Sequence, residues 1–291
     1  MTTTDFSPDT LNTIGVLGAG TMGHGIAQVF AQSGLTVHLV DNQPAQLDTA
    51  LKAVDRSLGK FVEKGKLTSE QHSDTLSRLH IHTDIDVLAG CDLVVEAITE
   101  NEAVKIDLFR KLDALCPAKT LFASNTSAIS LTRMAAATSR PDRFMGMHFM
   151  NPVPLMQLVE LIRALQTSDA TFNAIKSLSE RLGKTPIEVR DAPGFVSNRI
   201  LMPMINEAIF TLYEGVAEAE AIDSVMTLGM NHPMGPLKLA DLIGLDTCLF
   251  IMKVLYDGFK DPKYRPCPLL TQMVDAGYTG RKSGRGFYQY D

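Results

Sequence analysis

The stretch Gly18-Ala19-Gly20-Thr21-Met22-Gly23 constrains this chain more than any other. It follows a short apolar run of strand type, Ile14-Gly15-Val16-Leu17, and precedes Ile26, Ala27, Val29 and Phe30, spaced as one face of a helix. The glycines meet three separate needs. Gly18 allows a tight turn, Gly20 lets backbone approach a pyrophosphate, and Gly23 permits close packing of helix on strand. The first helical turn presents unpaired N–H groups and its positive dipole end to phosphate. A second strand over 36–40 ends at Asp41, an acid about 20 residues past the glycines, where it can accept hydrogen bonds from ribose hydroxyls. Asn42 follows with no arginine close behind, which favours NAD over its 2′-phosphorylated counterpart. A glycine turn beside a surface aspartate is the alternative, and it leaves the register of all these parts unexplained.

Further strands alternate with helices. A long helix is expected over 44–64, with Leu47, Leu51, Val54, Leu58 and Phe61 inward and Gly65 as its C-cap. Ser57, Lys60 and Lys64 share one stripe of its other face, which in isolation reads as a solvated surface. A second helix over 68–78 packs against it as a hairpin. Strands follow at 79–83, 92–98, 120–127, 144–150 and 158–162, with a helix over 171–182 and a last, edge strand over 186–191. His80 and His82 share a strand face but lack acidic or cysteine partners at ligand spacing, so they read as structural. The alternation predicts an α/β doubly wound parallel sheet, whose ligand sits beyond the carboxyl ends of its strands. Gly18–Gly23, Asp41, Glu100 and Ser127 all fall at those ends.

The strand signal stops at Asp191-Ala192-Pro193-Gly194, dividing the chain into 1–191 and 192–291. Helices are expected over 195–214, with Pro203 a kink, and over 219–229, 236–258 and 268–276. This all-helical part is apolar on more faces than its own core needs, which predicts a homodimer.

The whole chain has 291 residues, 45% hydrophobic, with a net charge of −6. That acidity argues against a nucleic-acid surface but leaves room for a few lysines to bind an anion locally. Cys91, Cys116, Cys248 and Cys267 form no C-x-x-C pair, so they read as buried thiols in a reducing compartment. Residues 1–12 carry neither basic residues nor an apolar run, no stretch is apolar enough to span a membrane, and a cytoplasmic location is expected.

A nicotinamide enzyme needs orientation, a proton acceptor and exclusion of water from its protein. His148 lies on an apolar strand stopped by Asn151-Pro152-Val153-Pro154, and a reversal centred on Pro154 brings Glu160 opposite it. A histidine accepts a proton near neutral pH, and a carboxylate on its far nitrogen fixes the tautomer. Ser127 and Asn198 are candidates to hold the alcohol oxygen. On spacing alone His148 reads as a satisfied core histidine. A Ser–His hydrolase lacks its G-x-S-x-G elbow, and a metal enzyme lacks ligands.

The stretches GAGTMGHGIAQVFA, DLVVEAITE, FASNTSAIS, RFMGMHFMNPVPLMQLVE, DAPGFVSNRI, HPMGPLKLADLIGLD and GRKSGRGFY, in that order, cover nearly the whole chain. Through them the sequence resembles the L-3-hydroxyacyl-CoA dehydrogenase family. The resemblance implies a Rossmann-like domain followed by a helical dimerisation domain. It implies that His148 is the base and Glu160 its partner, that Ser127 and Asn198 contact the substrate oxygen, and that Asn151 lies beside the nicotinamide. It also implies that Asp41, Glu100, Lys105 and Lys282 join Gly18, Ala19, Gly20, Thr21, Met22 and Gly23 around NAD, with Ser127 in contact with it too. Ser57, Lys60 and Lys64 would face the nucleotide end of coenzyme A, which turns the solvated stripe into a binding surface. Two rivals differ in what they need. A dehydrogenase of a free hydroxy acid gives that stripe nothing to hold, and a non-catalytic NAD-binding protein has no use for the His148–Glu160 pair.

Overall fold

The computed structural model describes residues 11–290, so the expectation for residues 1–10 lies outside the described residues. Contacts divide it into two compact units. One runs to Thr126 and resumes over Ser130–Asp191, and the other comprises Ser127–Ile129 and the chain from Ala192 onward. Ser127–Ile129, which the sequence puts with the strands, thus clusters with the helices.

The first unit is built on one eight-stranded sheet: β1 (Thr13–Leu17), β2 (Thr36–Val40), β3 (Leu79–His82), β4 (Leu93–Glu96), β5 (Leu121–Ser124), β6 (Phe144–Phe149), β7 (Leu158–Arg163) and β8 (Thr185–Arg190). Their spatial order is β3-β2-β1-β4-β5-β6-β7-β8. Pairing is parallel from β3 through β6, turns antiparallel between β6 and β7, and is parallel again between β7 and β8. β1, β4, β5 and β6 are buried almost throughout, which is why they read as apolar runs rather than alternating patterns. β8 carries Pro186 and four exposed residues, as an edge requires.

Six helices cover the sheet: α1 (Thr21–Gln32), α2 (Pro44–Glu63), α3 (Ser69–Ser77), α4 (Glu102–Leu115), α5 (Leu131–Ala136) and α6 (Asp169–Arg181). α2 starts with proline in its first turn and buries Leu47, Ala50, Val54 and Leu58. Its cap is Lys64, with Gly65 left-handed one residue beyond at φ +66°. α3 opens with a reciprocal capping box between Thr68 and Gln71. Strand order reverses at β1, which lies between β2 and β4, and this switch opens the crevice at the carboxyl ends.

The second unit contains α7 (Ser197–Tyr213), α8 (Ala219–Ser224), a π-turn over Val225–Gly229, α9 (Pro236–Ile243), α10 (Leu245–Phe259) and α11 (Pro268–Asp275). The expected helix over 236–258 is two helices. Gly244 takes φ +102°, and the Leu245 amide turns to the Thr279 carbonyl instead of continuing the ladder. Phe195, with φ +51°, delays the start of α7. Ile205, Ile209, Leu237, Leu245, Met252 and Leu255 form the core. The tail folds back because buried Asp241 accepts from the Phe287 and Tyr288 amides and the Tyr290 hydroxyl. Among the described residues no helix is long and apolar enough to cross a membrane.

The β1–α1 turn leaves no tolerance for a side chain at Gly18 or Gly23. A Cβ on Gly23 would lie 1.7 Å from the Gly18 carbonyl oxygen, and one on Gly18 would meet the Ala97 carbonyl oxygen at 2.5 Å. Gly59, inside α2, has no atom within 4 Å of such a Cβ. Urea titration should therefore give opposite signs. Gly23→Ala lowers stability by about 3 kcal/mol, whereas Gly59→Ala raises it by about 0.5–1 kcal/mol.

Candidate active site

At the β1–α1 turn, Gly20 caps α1 with no side-chain hydrogen bond to the first amides, and no acid stands in the first helical turn. No atom lies within 4 Å of the Cβ position of Gly20. Open space over unserved N–H groups at a positive dipole end suits a pyrophosphate, so the residues present fit NAD. Asp41 sits just past β2 and shapes the same turn. Its carboxylate accepts from the Ala19 amide at 2.8 Å and the Gln43 amide at 3.0 Å. The Gln46 side chain donates to the Ala19 carbonyl from the other side. Thr21 and Met22 open α1 beyond the turn.

Glu96, at the end of β4, is fully buried, as is Lys105 on α4. The Lys105 ammonium donates to Glu96 at 2.5 Å and reaches Glu100 at 3.2 Å. Glu96 also accepts from the Ser124 hydroxyl at 2.6 Å and the Ile98 amide at 2.7 Å. Glu100 accepts from the Thr126 hydroxyl at 2.5 Å. These charge-assisted bonds pin the ends of β4 and β5 and the start of α4 to one another. Lys105 therefore meets the crevice through Glu100, which is partly exposed where Lys105 is not. Sequence reading missed Glu96, whose signal was an acid inside the otherwise apolar run 93–98.

The β6–β7 register pairs His148 with Glu160, as a reversal centred on Pro154 requires. Directly opposed residues share a sheet face. His148 Nδ1 lies 2.8 Å from Glu160 Oε2, with His148 6% and Glu160 2% exposed. The carboxylate is the acceptor, so Nδ1 carries the proton and Nε2 is the basic nitrogen of the neutral ring. Asn125, past the end of β5, accepts the Phe149 amide at 2.8 Å and ties β6 to its neighbour. Asn151 follows β6 and is exposed.

Ser127 and Asn198 both belong to the second unit, where the Asn198 amide nitrogen donates to the Ser127 carbonyl at 3.1 Å. Asn198 lies on the first turn of α7 and is 8% exposed. In the same unit Lys282 is paired with Asp246 of α10.

Ser57, Lys60 and Lys64 line a cavity of 290 Å³ within the first unit, facing Pro152, Pro154 and Leu155. Arg56 and Lys66 line it too and were missed. Arg56 precedes Lys60 by four residues and so lies on the same helix face, a signal the spacing offered, whereas Lys66 returns only because the chain reverses at Gly65, with the Lys66 amide bonded to the Phe61 carbonyl.

Other candidate groups are occupied elsewhere. His38 Nδ1 lies 2.9 Å from His82 Nε2 and its ring neighbours His80, so both histidines pack in a cluster at the β2–β3 edge. Burial, then the neighbouring rings, pulls His38 below the usual imidazole range. All four cysteines are buried and unbridged. Burial pushes the Cys91 thiol up to about 12 and that of Cys116 to about 11, so neither is a nucleophile at neutral pH.

Family models match both parts of the chain: the NAD-binding domain of 3-hydroxyacyl-CoA dehydrogenase over residues 13–192 and its C-terminal domain over 194–290. A probable 3-hydroxybutyryl-CoA dehydrogenase of Deinococcus radiodurans is 59% identical over 95% of this chain and 99% of its own length. The 3-hydroxybutyryl-CoA dehydrogenase of Bradyrhizobium diazoefficiens is 54% identical over 95% of this chain and 94% of its own. The crystal structure of (S)-3-hydroxybutyryl-CoA dehydrogenase from Ralstonia eutropha superposes with a TM-score of 0.93 at 53% identity, covering 97% of this chain and all of that one. With a glycine turn fitted to a dinucleotide, a buried histidine–carboxylate pair and matches spanning both units, the chain belongs to the 3-hydroxyacyl-CoA dehydrogenase family.

Proposed function

We propose that this protein catalyses the reversible NAD-dependent oxidation of an (S)-3-hydroxyacyl-CoA to the 3-oxoacyl-CoA, with 3-hydroxybutyryl-CoA as the substrate that its relatives' names point to. The observation that carries the reading is the buried His148–Glu160 pair. His148 Nε2 accepts the proton of the 3-hydroxyl group, and Glu160 holds the tautomer and stabilises the imidazolium that forms. Bound NAD supplies the acceptor for the hydride leaving C3. The family resemblance supports Ser127 and Asn198 as the groups that hold the reacting oxygen, and Asn151 as a neighbour of the nicotinamide. It also supports Gly18–Gly23, Asp41, Glu100 and Lys282 around the cofactor, with Lys105 acting through Glu100. Ser57, Lys60 and Lys64, joined by Arg56 and Lys66, receive the phosphates of coenzyme A.

Two further parts of the reading concern assembly and location. Ile200, Val216, Leu228 and Met230 are each more than half exposed in the second unit. Exposed apolar side chains of this number support a homodimer. Four unbridged thiols support a reducing, cytoplasmic location. Sedimentation equilibrium should return twice the chain mass, and a monomer at micromolar concentration would overturn the dimer.

NADH oxidation with acetoacetyl-CoA tests the activity directly, and no oxidation would leave only a binding role. His148→Gln should lower kcat by at least about 10³-fold while leaving NADH affinity, read by fluorescence titration, within about twofold. Glu160→Gln should cost about 10²–10⁴-fold in kcat for loss of the held tautomer. Near-normal turnover in either variant would sink the assigned roles.

The cavity makes a separate prediction. Lys60→Ala combined with Lys64→Ala should raise KM for acetoacetyl-CoA about tenfold or more and leave kcat nearly unchanged. An unchanged KM would favour a free hydroxy acid as substrate.

A further inference from the structure

The loop joining β6 to β7 is short of its own donors, because Pro152 and Pro154 have no N–H. The Leu155 and Met156 amides both turn back to the Pro152 carbonyl. The carbonyls of Val153 and Met156 are served instead from outside the loop. Lys184, just after the left-handed Gly183 that ends α6, donates to the Val153 carbonyl at 2.6 Å and to the Met156 carbonyl at 2.7 Å.

This placement is costly for a lysine. Lys184 is 9% exposed, and burial pulls its ammonium below the usual lysine range. Its hydrogen-bond partners among the described residues are neutral carbonyls, with no carboxylate to compensate the charge. An apolar side chain would fill the space without that desolvation cost, but it would leave the two carbonyls unserved.

The two carbonyls flank Pro154 and Leu155, which with Pro152 form the cavity wall opposite Ser57, Lys60 and Lys64. Val153 is buried and seats the same loop against α1, where a Cβ on Gly25 would lie 3.0 Å from it. We propose that Lys184 is a positioning residue that fixes the Pro154–Leu155 wall and thereby the affinity for the nucleotide end of an acyl-CoA. The proposal rests on the acyl-CoA reading above.

Steady-state kinetics with two thioesters test it: acetoacetyl-CoA, and acetoacetyl-N-acetylcysteamine, which lacks the nucleotide. Lys184→Met should raise KM for acetoacetyl-CoA about fivefold to tenfold with kcat within about twofold, and leave kcat/KM for the truncated thioester within about twofold. Lys184→Arg, which keeps a charged donor, should recover most of the loss. An unchanged KM, or an equal loss on both thioesters, overturns the role. Should Lys184→Met fail to fold, Lys184→Gln is read on the same two substrates with the same outcomes. If the wild-type protein itself is inactive with acetoacetyl-CoA and NADH, it is the proposed function that fails. Calorimetric titration with coenzyme A then reads the Lys184 effect on its own, and equal affinity in wild type and Lys184→Met overturns it.

Discussion

The His148–Glu160 hydrogen bond joins two strands that run in opposite directions inside a sheet that is otherwise mostly parallel. That reversal at β6–β7 is what the proposed chemistry depends on. A parallel neighbour would arrive after a helical crossover, with its register set by distant packing. A short antiparallel connection instead sets the register locally, and a slip of one residue would turn Glu160 to the opposite face. The connection is accordingly well anchored. Val153 packs against Gly25 of α1, and the Thr185 amide bonds the Gln157 carbonyl. Burial then gives the pair its strength, since a charge-assisted bond in a water-poor site resists exchange with solvent.

What was legible in the sequence was local. The glycine turn announced itself because two of its glycines answer backbone constraints: φ +98° at Gly18, and no room for a Cβ at Gly23. The His148–Glu160 register was readable because two prolines marked the reversal and the positions are symmetric about residue 154. Long-range partners were not readable. Glu96 looked like one more residue of a buried strand until Ser124, 28 positions away, and Lys105 closed on it. Lys66 lies beyond the end of the helix, and only the fold around Gly65 brings it to the cavity. The break at Gly244 was hidden because 236–258 is apolar at helical spacing on both sides of it. A left-handed glycine and the distant Thr279 carbonyl decide it.

Lysine shows most plainly how environment assigns a role that residue type does not. Lys105 is buried against two carboxylates, so its charge is spent on holding Glu96 and Glu100 in place at the strand ends. Replacing one member of such a group is more damaging than its net contribution suggests, because a buried charge is left without its partner. Lys184 is also buried, yet it faces only carbonyls and so fixes backbone rather than acids. Lys60 and Lys64 are exposed at the rim of a cavity, where their charge stays available to an incoming anion. Solvent screens those two, which limits what each contributes, and gathering four cations around one cavity is the physical answer to that screening. A stripe of lysines on a helix says nothing of this by itself. The anion-binding role proposed for it becomes legible only when the loop after β6 is seen to line the same cavity.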